Sequence, residues 1–260
     1  MNKHIIRQIA VIISLIIMIT VNALATTLPI NGVTTAEISD SFDVFFVPAG
    51  YVFSIWGVIY LALIVYGIFQ ALPAQKENPR LQKIGWIFVL SSLTNAAWIF
   101  AWHYSAFVLS VMLMLVLLVS LIAIYLLLGT GKTAVSNAEK WAVRVPFSIY
   151  LGWITVATIA NVTVLLDYVG WSGWGIAPET WTVIMLTVGV IVAALMAATR
   201  RDIAYLLVLV WAFAGIGVEQ ADTALVANAA WVATGIVALL VIATAVQSRR
   251  KPSQLAPAVG

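Results

Sequence analysis

Residues 150–161 read YLGWITVATIAN. On a helix Trp153, Ala157 and Asn161, spaced i, i+4 and i+8, share one stripe, and Tyr150 extends it by a turn. The apolar run around them, residues 142–166, is long enough to span a bilayer. An amide at that depth needs a partner, because an unsatisfied polar group in hydrocarbon costs several kcal/mol. A face carrying a large aromatic, a small residue and an amide suits helix packing or a flat apolar ligand. A second apolar run, residues 84–103, carries a similar stripe: Asn95, Trp98 and Trp102 at i, i+3 and i+7. The two helices are therefore expected to face each other across a shared space.

The rest of the chain fits this setting. Of 260 residues, 63% are hydrophobic and 9% charged, against about 25% charged in a soluble domain. The long apolar runs specify helical spans rather than a barrel. Cysteine is absent, which excludes disulfides, thiolate metal sites and cysteine nucleophiles.

Eight spans are expected, at about residues 5–25, 49–72, 84–103, 107–128, 142–166, 181–199, 203–218 and 224–246. Together they make an all-α integral membrane protein. The first span follows Lys3, His4 and Arg7 and ends near Ala23-Leu24-Ala25, a pattern shared with cleavable signal peptides. Its apolar stretch is long enough to span, and we read it as retained. The seventh is short. Residues 247–260 read as a disordered tail.

Alternating through eight spans from the inside places all 13 lysines and arginines on one side. Seven acidic residues, Glu37, Asp40, Asp43, Asp167, Glu179, Glu219 and Asp222, fall on the other. By the positive-inside rule both termini are cytoplasmic. The multi-pass location expected is a cell membrane, of the bacterial inner or plasma type. This topology accounts for the basic pI, about 9.2, without a nucleic-acid partner.

No ionisable group is expected deep in the bilayer, where proton-coupled carriers usually hold one. Residues 129–133, GTGKT, lack the full spacing of a phosphate loop, and no HExxH pattern occurs. Direct catalysis is not expected. Tryptophan and amide remain. Trp86, Trp141, Trp181, Trp211 and Trp231 read as interfacial anchors. Trp98 and Trp153 lie deeper and share faces with asparagines, so pocket lining competes with plain packing. Asn95 and Asn161 suit either interhelical bonding or ligand contact.

The 150–161 stretch resembles the fifth-helix signature of the tryptophan-rich sensory protein/translocator protein (TspO/MBR) family, roughly Y-x-x-W-x-x-x-A-x-x-x-N. Tyr150, Trp153, Ala157 and Asn161 match at every spacing. Asn95 and Trp98 match the family's third-helix N-x-x-W. The stretch VPAGYVFSIWGVIY is similar to its second-helix opening through Pro48, Val52, Phe53, Trp56 and Tyr60. It departs there in three ways: Ala49 follows Pro48, Tyr51 replaces a tryptophan, and the Phe53–Trp56 interval is one residue short. Ser91 stands in place of a glutamine, and the proline before Tyr150 lies further upstream, at Pro146.

This resemblance implies a five-helix membrane bundle over residues 1–167, with a three-helix extension over 180–246 that it does not explain. It implies a receptor or sensor binding a tetrapyrrole (haem or porphyrin) or another flat hydrophobic molecule, and a homodimer. The implied site is Tyr51, Phe53, Trp56, Asn95, Trp98, Tyr150, Trp153 and Asn161. Porphyrin breakdown, reported for some bacterial members, is not carried over with Tyr51 in the tryptophan position. The rival reading is a transporter of a small hydrophobic solute or metabolite using all eight spans. Only Gly215 and Gly217 offer a helix break of the kind transporters use.

The absence of native cysteine makes the topology directly testable. Single Asp43→Cys and Lys132→Cys variants should react with a membrane-impermeant thiol reagent from opposite sides. Labelling of both from one side would refute the alternating arrangement.

Overall fold

The computed structural model describes residues 3–28 and 30–250, with the side chains of Arg249 and Arg250 left aside. Every regular element among the described residues is helical. The long elements are α1 (Lys3–Thr27), α3 (Ile55–Ala71), α4 (Pro79–His103), α5 (Phe107–Leu127), α7 (Val145–Tyr168), α8 (Pro178–Arg200), α9 (Ile203–Glu219) and α10 (Ala224–Arg250). Two short ones, α2 (Thr35–Asp40) and α6 (Asn137–Glu139), lie in loops. Among the described residues, seven stretches are long and apolar enough to cross a membrane. The remaining apolar helix is α9, with 17 residues, the short seventh span expected.

Local chemistry sets the boundaries. Asn78 caps α4 by accepting from the N–H groups of Arg80 and Leu81, and Pro79 occupies a first-turn position that needs no donor. Helix α4 therefore starts five residues before the expected span and takes Arg80 and Lys83 into its first turns. Asp202 caps α9, after Arg201 closes α8 in the left-handed conformation. Before α3 the chain makes a 3₁₀ turn over Gly50–Ser54, so Tyr51 and Phe53 sit on a turn, not on the helix. At its other end α10 continues to Arg250, four residues into the stretch read as tail. Residues 251–260 lie outside the described residues.

Five helices close a ring. Helix α1 packs on α3 and α4, α4 on α5, α5 on α7, and α7 back on α3. Helices α4 and α7 are thus across the ring from each other and meet through side chains. At its centre, Asn95 of α4 donates to the Tyr150 hydroxyl of α7 (3.0 Å) and accepts from the Asn22 amide of α1 (2.7 Å). Asn22 also donates to the Met18 carbonyl within its own helix (2.8 Å). Asn22, Asn95 and Tyr150 are all buried. The first span is therefore a full member of the core, through Val11, Leu15, Met18 and Asn22.

The remaining helices attach outside the ring: α9 against α7, and α8 and α10 against α9. Gly152 makes the first contact possible, since a Cβ there would lie 3.1 Å from the Val208 Cβ. Gly215 is no helix break. Helix α9 runs through it, and an added Cβ would come within 2.3 Å of Val52. Its carbonyl accepts from the Ala49 N–H (3.1 Å). Trp211, expected as a free interfacial anchor, instead donates to the Val52 carbonyl (3.0 Å) and ties α9 to the turn before α3.

The two ends of the bundle differ in charge. At one end Arg7 donates to the Lys76 carbonyl, Arg80 pairs with Glu139, and Arg200 reaches the Thr130 carbonyl. Arg7, Arg144 and Asp202 are buried there, deeper than the expected confinement of charge to boundaries. Arg7 fits because α4 has Gly85 beside it; a Cβ would lie 2.6 Å from the arginine Cδ.

Asn95→Ala removes both central bonds and strands a buried amide and hydroxyl, so it should destabilise the protein by about 1–3 kcal/mol. Ser14→Ala, which loses only a bond to the carbonyl three residues back in its own helix, should change stability by less than about 0.5 kcal/mol. Thermal unfolding in detergent measures both.

Candidate functional site

The stripe on α7 is longer than four residues. Trp153, Val156, Ala157, Ala160, Asn161 and Val164, at i, i+3, i+4, i+7, i+8 and i+11, form one wall of a small internal cavity of about 40 Å³. Trp98 and Trp102 of α4 form the facing wall. Phe53 and Trp56, at the start of α3, close one side, and Thr35, Ser39 and Pro48 cover it.

Aromatic contacts hold the walls together. Trp56 is the hub. Its ring stacks on Tyr60 at 5.5 Å between centroids, lies 6.4 Å from Trp98, and meets Trp153 and Tyr150 edge-on at 6.1 and 6.2 Å. Phe53 meets Trp153 edge-on at 5.9 Å, and Trp98 stacks on Trp102 at 5.8 Å. Such pairs contribute about 0.5–1.5 kcal/mol each beyond the area they bury.

Two indole groups carry the polar character of this box. The Nε1 atoms of Trp98 and Trp153 are buried, and neither has a hydrogen-bond partner. Buried indole N–H groups usually find an acceptor. Trp102, in the same wall, does so by donating to the Thr35 carbonyl (3.2 Å). The cavity therefore has two unmatched donors in its walls.

The cover is tied to the end of α4 through one histidine. His103 is buried; its Nδ1 lies 3.0 Å from the Ile30 carbonyl and its Nε2 3.1 Å from the Thr35 hydroxyl. Asn31 donates to the His103 carbonyl (3.0 Å). Helix α2 within the cover is fixed by a capping box: the Thr34 N–H donates to Glu37 (2.6 Å), and the Glu37 N–H to the Thr34 hydroxyl oxygen (3.2 Å). The bond from the Thr34 backbone, then that with its side chain, holds the Glu37 carboxyl below its ordinary range. Partial burial, then the Glu37 charge, pushes Asp40 up.

Of the eight residues expected at the site, five line the cavity: Phe53, Trp56, Trp98, Trp153 and Asn161. Tyr150 touches Trp56 from below but spends its hydroxyl on Asn95. Asn95 is committed to Asn22 and Tyr150, on the structural side of the two readings. Tyr51 is half exposed and packs edge-on against Trp211, outside the ring. Asn161 exchanges bonds with Ser110 of α5 (2.9 and 3.2 Å), so its amide too has a protein partner. Sequence reasoning missed the cover residues Thr35 and Ser39. The only available signal for them was the T-x-x-E capping box at Thr34 and Glu37.

Because Glu37 is held below its usual range, its contribution to the cover is present above the unfolded value, about 4.3, and is lost as pH falls through the folded value. Asp40 works in the opposite sense. Acidification below about pH 4 should loosen the cover in the wild type more than in Glu37→Gln, read as acrylamide quenching of buried tryptophan fluorescence. Identical pH profiles would refute this role for Glu37.

A family model described as TSPO-like protein matches residues 8–243. No curated protein and no solved structure matches. The match covers most of the chain, including α8, α9 and most of α10, and the chain belongs to this TSPO-like family.

Proposed function

We propose that this TSPO-like protein, a multi-pass membrane protein, is a receptor or sensor for a tetrapyrrole or another flat hydrophobic ligand, and that the ligand enters the aromatic box. The observation carrying this reading is the pair of buried, unpartnered indole N–H groups of Trp98 and Trp153 beside a cavity. Stacked indoles present flat apolar faces, and two donors suit a ligand with a carboxylate or carbonyl edge.

The box is closed. A volume near 40 Å³ is far below the roughly 300–1,000 Å³ of a drug-sized pocket. Uptake of a tetrapyrrole therefore requires the cover to lift and the indoles to part. The cover is suited to this, being held by a few hydrogen bonds around His103 rather than by a long helix.

The test is titration of the purified protein with protoporphyrin IX, followed by its own absorbance so that tryptophan content does not confound the reading. Trp98→Phe combined with Trp153→Phe keeps an aromatic face at each position and removes both donors; affinity should fall about tenfold or more. Equal affinity in wild type and double variant, with unchanged thermal unfolding, rejects the site.

A further inference from the structure

A large cavity lies outside the ring. It is a groove of about 1700 Å³ between α3 and α9, floored by the start of α7, and larger than the roughly 300–1,000 Å³ typical of small-molecule pockets. Its shape follows from how α9 is attached. At one end α9 is fastened to the turn before α3 by the Trp211–Val52 and Ala49–Gly215 bonds. Farther along, α9 leans on α7 at Gly152, and its main contacts are with α7, α8 and α10 rather than α3.

The walls are apolar: Ile55 and Val58 from α3, Ile149 from α7, and Leu207 and Trp211 from α9. Val58, Leu207 and Trp211 are well exposed. These surfaces belong to spans that the bilayer surrounds, so lipid chains are the solvent they meet.

The other end is cationic. Lys140, Arg144, Arg200 and Arg201 all line it, and none forms a salt bridge among the described residues, where the one pair is Arg80 with Glu139. Arg144 is buried. It donates to the carbonyls of Leu128 and Thr133, while its Nε has no partner; the Thr130 hydroxyl beside it also has none. Lys140 to Arg144 form a π-helical turn at this mouth, a distortion frequent at functional sites. The one carboxylate in the groove, Asp202, is occupied by the hydroxyls of Tyr125 and Ser148 and the Tyr205 N–H.

We infer that this groove binds one anionic phospholipid, with the phosphate at the Lys140/Arg144/Arg201 end and the acyl chains along α3 and α9. A long apolar trough ending in unpaired cations is complementary to such a molecule and to neither a neutral lipid nor a small soluble anion.

The experiment is native mass spectrometry of the detergent-purified full chain with phosphatidylglycerol or phosphatidylcholine of identical acyl chains. Phosphatidylglycerol should remain as a single adduct at least about tenfold more retained than phosphatidylcholine. Lys140→Gln with Arg201→Gln should abolish that preference. Ala204→Trp, which fills the groove and leaves the cations in place, should lower retention of both lipids. Equal retention of the two lipids in the wild type, or retention unaffected by both variants, overturns the assignment. So does a dimer that Ala204→Trp dissociates, which would make a second copy the occupant.

Discussion

The three-way junction of Asn22, Asn95 and Tyr150 is the constraint the bundle depends on. Hydrocarbon offers no water to an unpaired amide, so each polar group placed at that depth dictates a neighbour. Asn95 has one donor and one acceptor engaged, each by a different helix, which fixes the rotation of α1 and α7 about their axes. Leucine and valine contacts alone would tolerate many rotations, because lipid chains match them as well as another helix does. With Tyr150 fixed, the α7 stripe three residues further on can only face inward. The aromatic box is a consequence.

Much of this was legible in the chain. The α7 stripe, the matching stripe on α4 and their inward orientation follow from helical spacing and the depth of the amides. The resemblance drawn from four residues of α7, two of α4 and the stretch from Pro48 to Tyr60 agrees with the family match, which also takes in α8, α9 and most of α10. What could not be read was who pairs with whom. Asn22 and Ser110 lie in mostly apolar helices, and nothing in their local spacing distinguishes them from Ser14 or Ser120 of the same helices, which bond to carbonyls of their own helices. The ring order that brings Asn22 to Asn95 and Ser110 to Asn161 is tertiary information. Tyr51 entered the expected site through the resemblance, in a tryptophan position, but the 3₁₀ turn sets it against Trp211 of α9.

The same logic separates the roles of the two asparagines. Both were open to ligand contact or helix bonding. Asn95 lies off the cavity and bonds to two other helices through its amide N–H and its carbonyl oxygen. Asn161 lines the cavity and is bonded to a serine on a neighbouring helix, an arrangement that could exchange a hydroxyl for a ligand oxygen without unmaking the ring. The unmatched donors in the box come from tryptophan, not asparagine, a distinction that spacing alone does not draw.

The inner box and the outer groove answer one physical problem in two ways. Inside the ring, apolar volume is filled by indoles, two of whose N–H groups are left over, so the site is small and under-satisfied. Outside, α9 is fastened to the ring at one end and by small residues along α7, and the space left beside α3 is open and apolar. A cavity of about 40 Å³ demands a widening before it can accept anything larger than a water molecule. An open groove in a span does not, because the surrounding lipid enters without displacing protein. Helix α9 touches both: through Gly215 and Trp211 it braces the turn that carries Phe53, and through Leu207 it forms the groove wall. Whatever occupies the groove therefore bears on the turn that closes one side of the box.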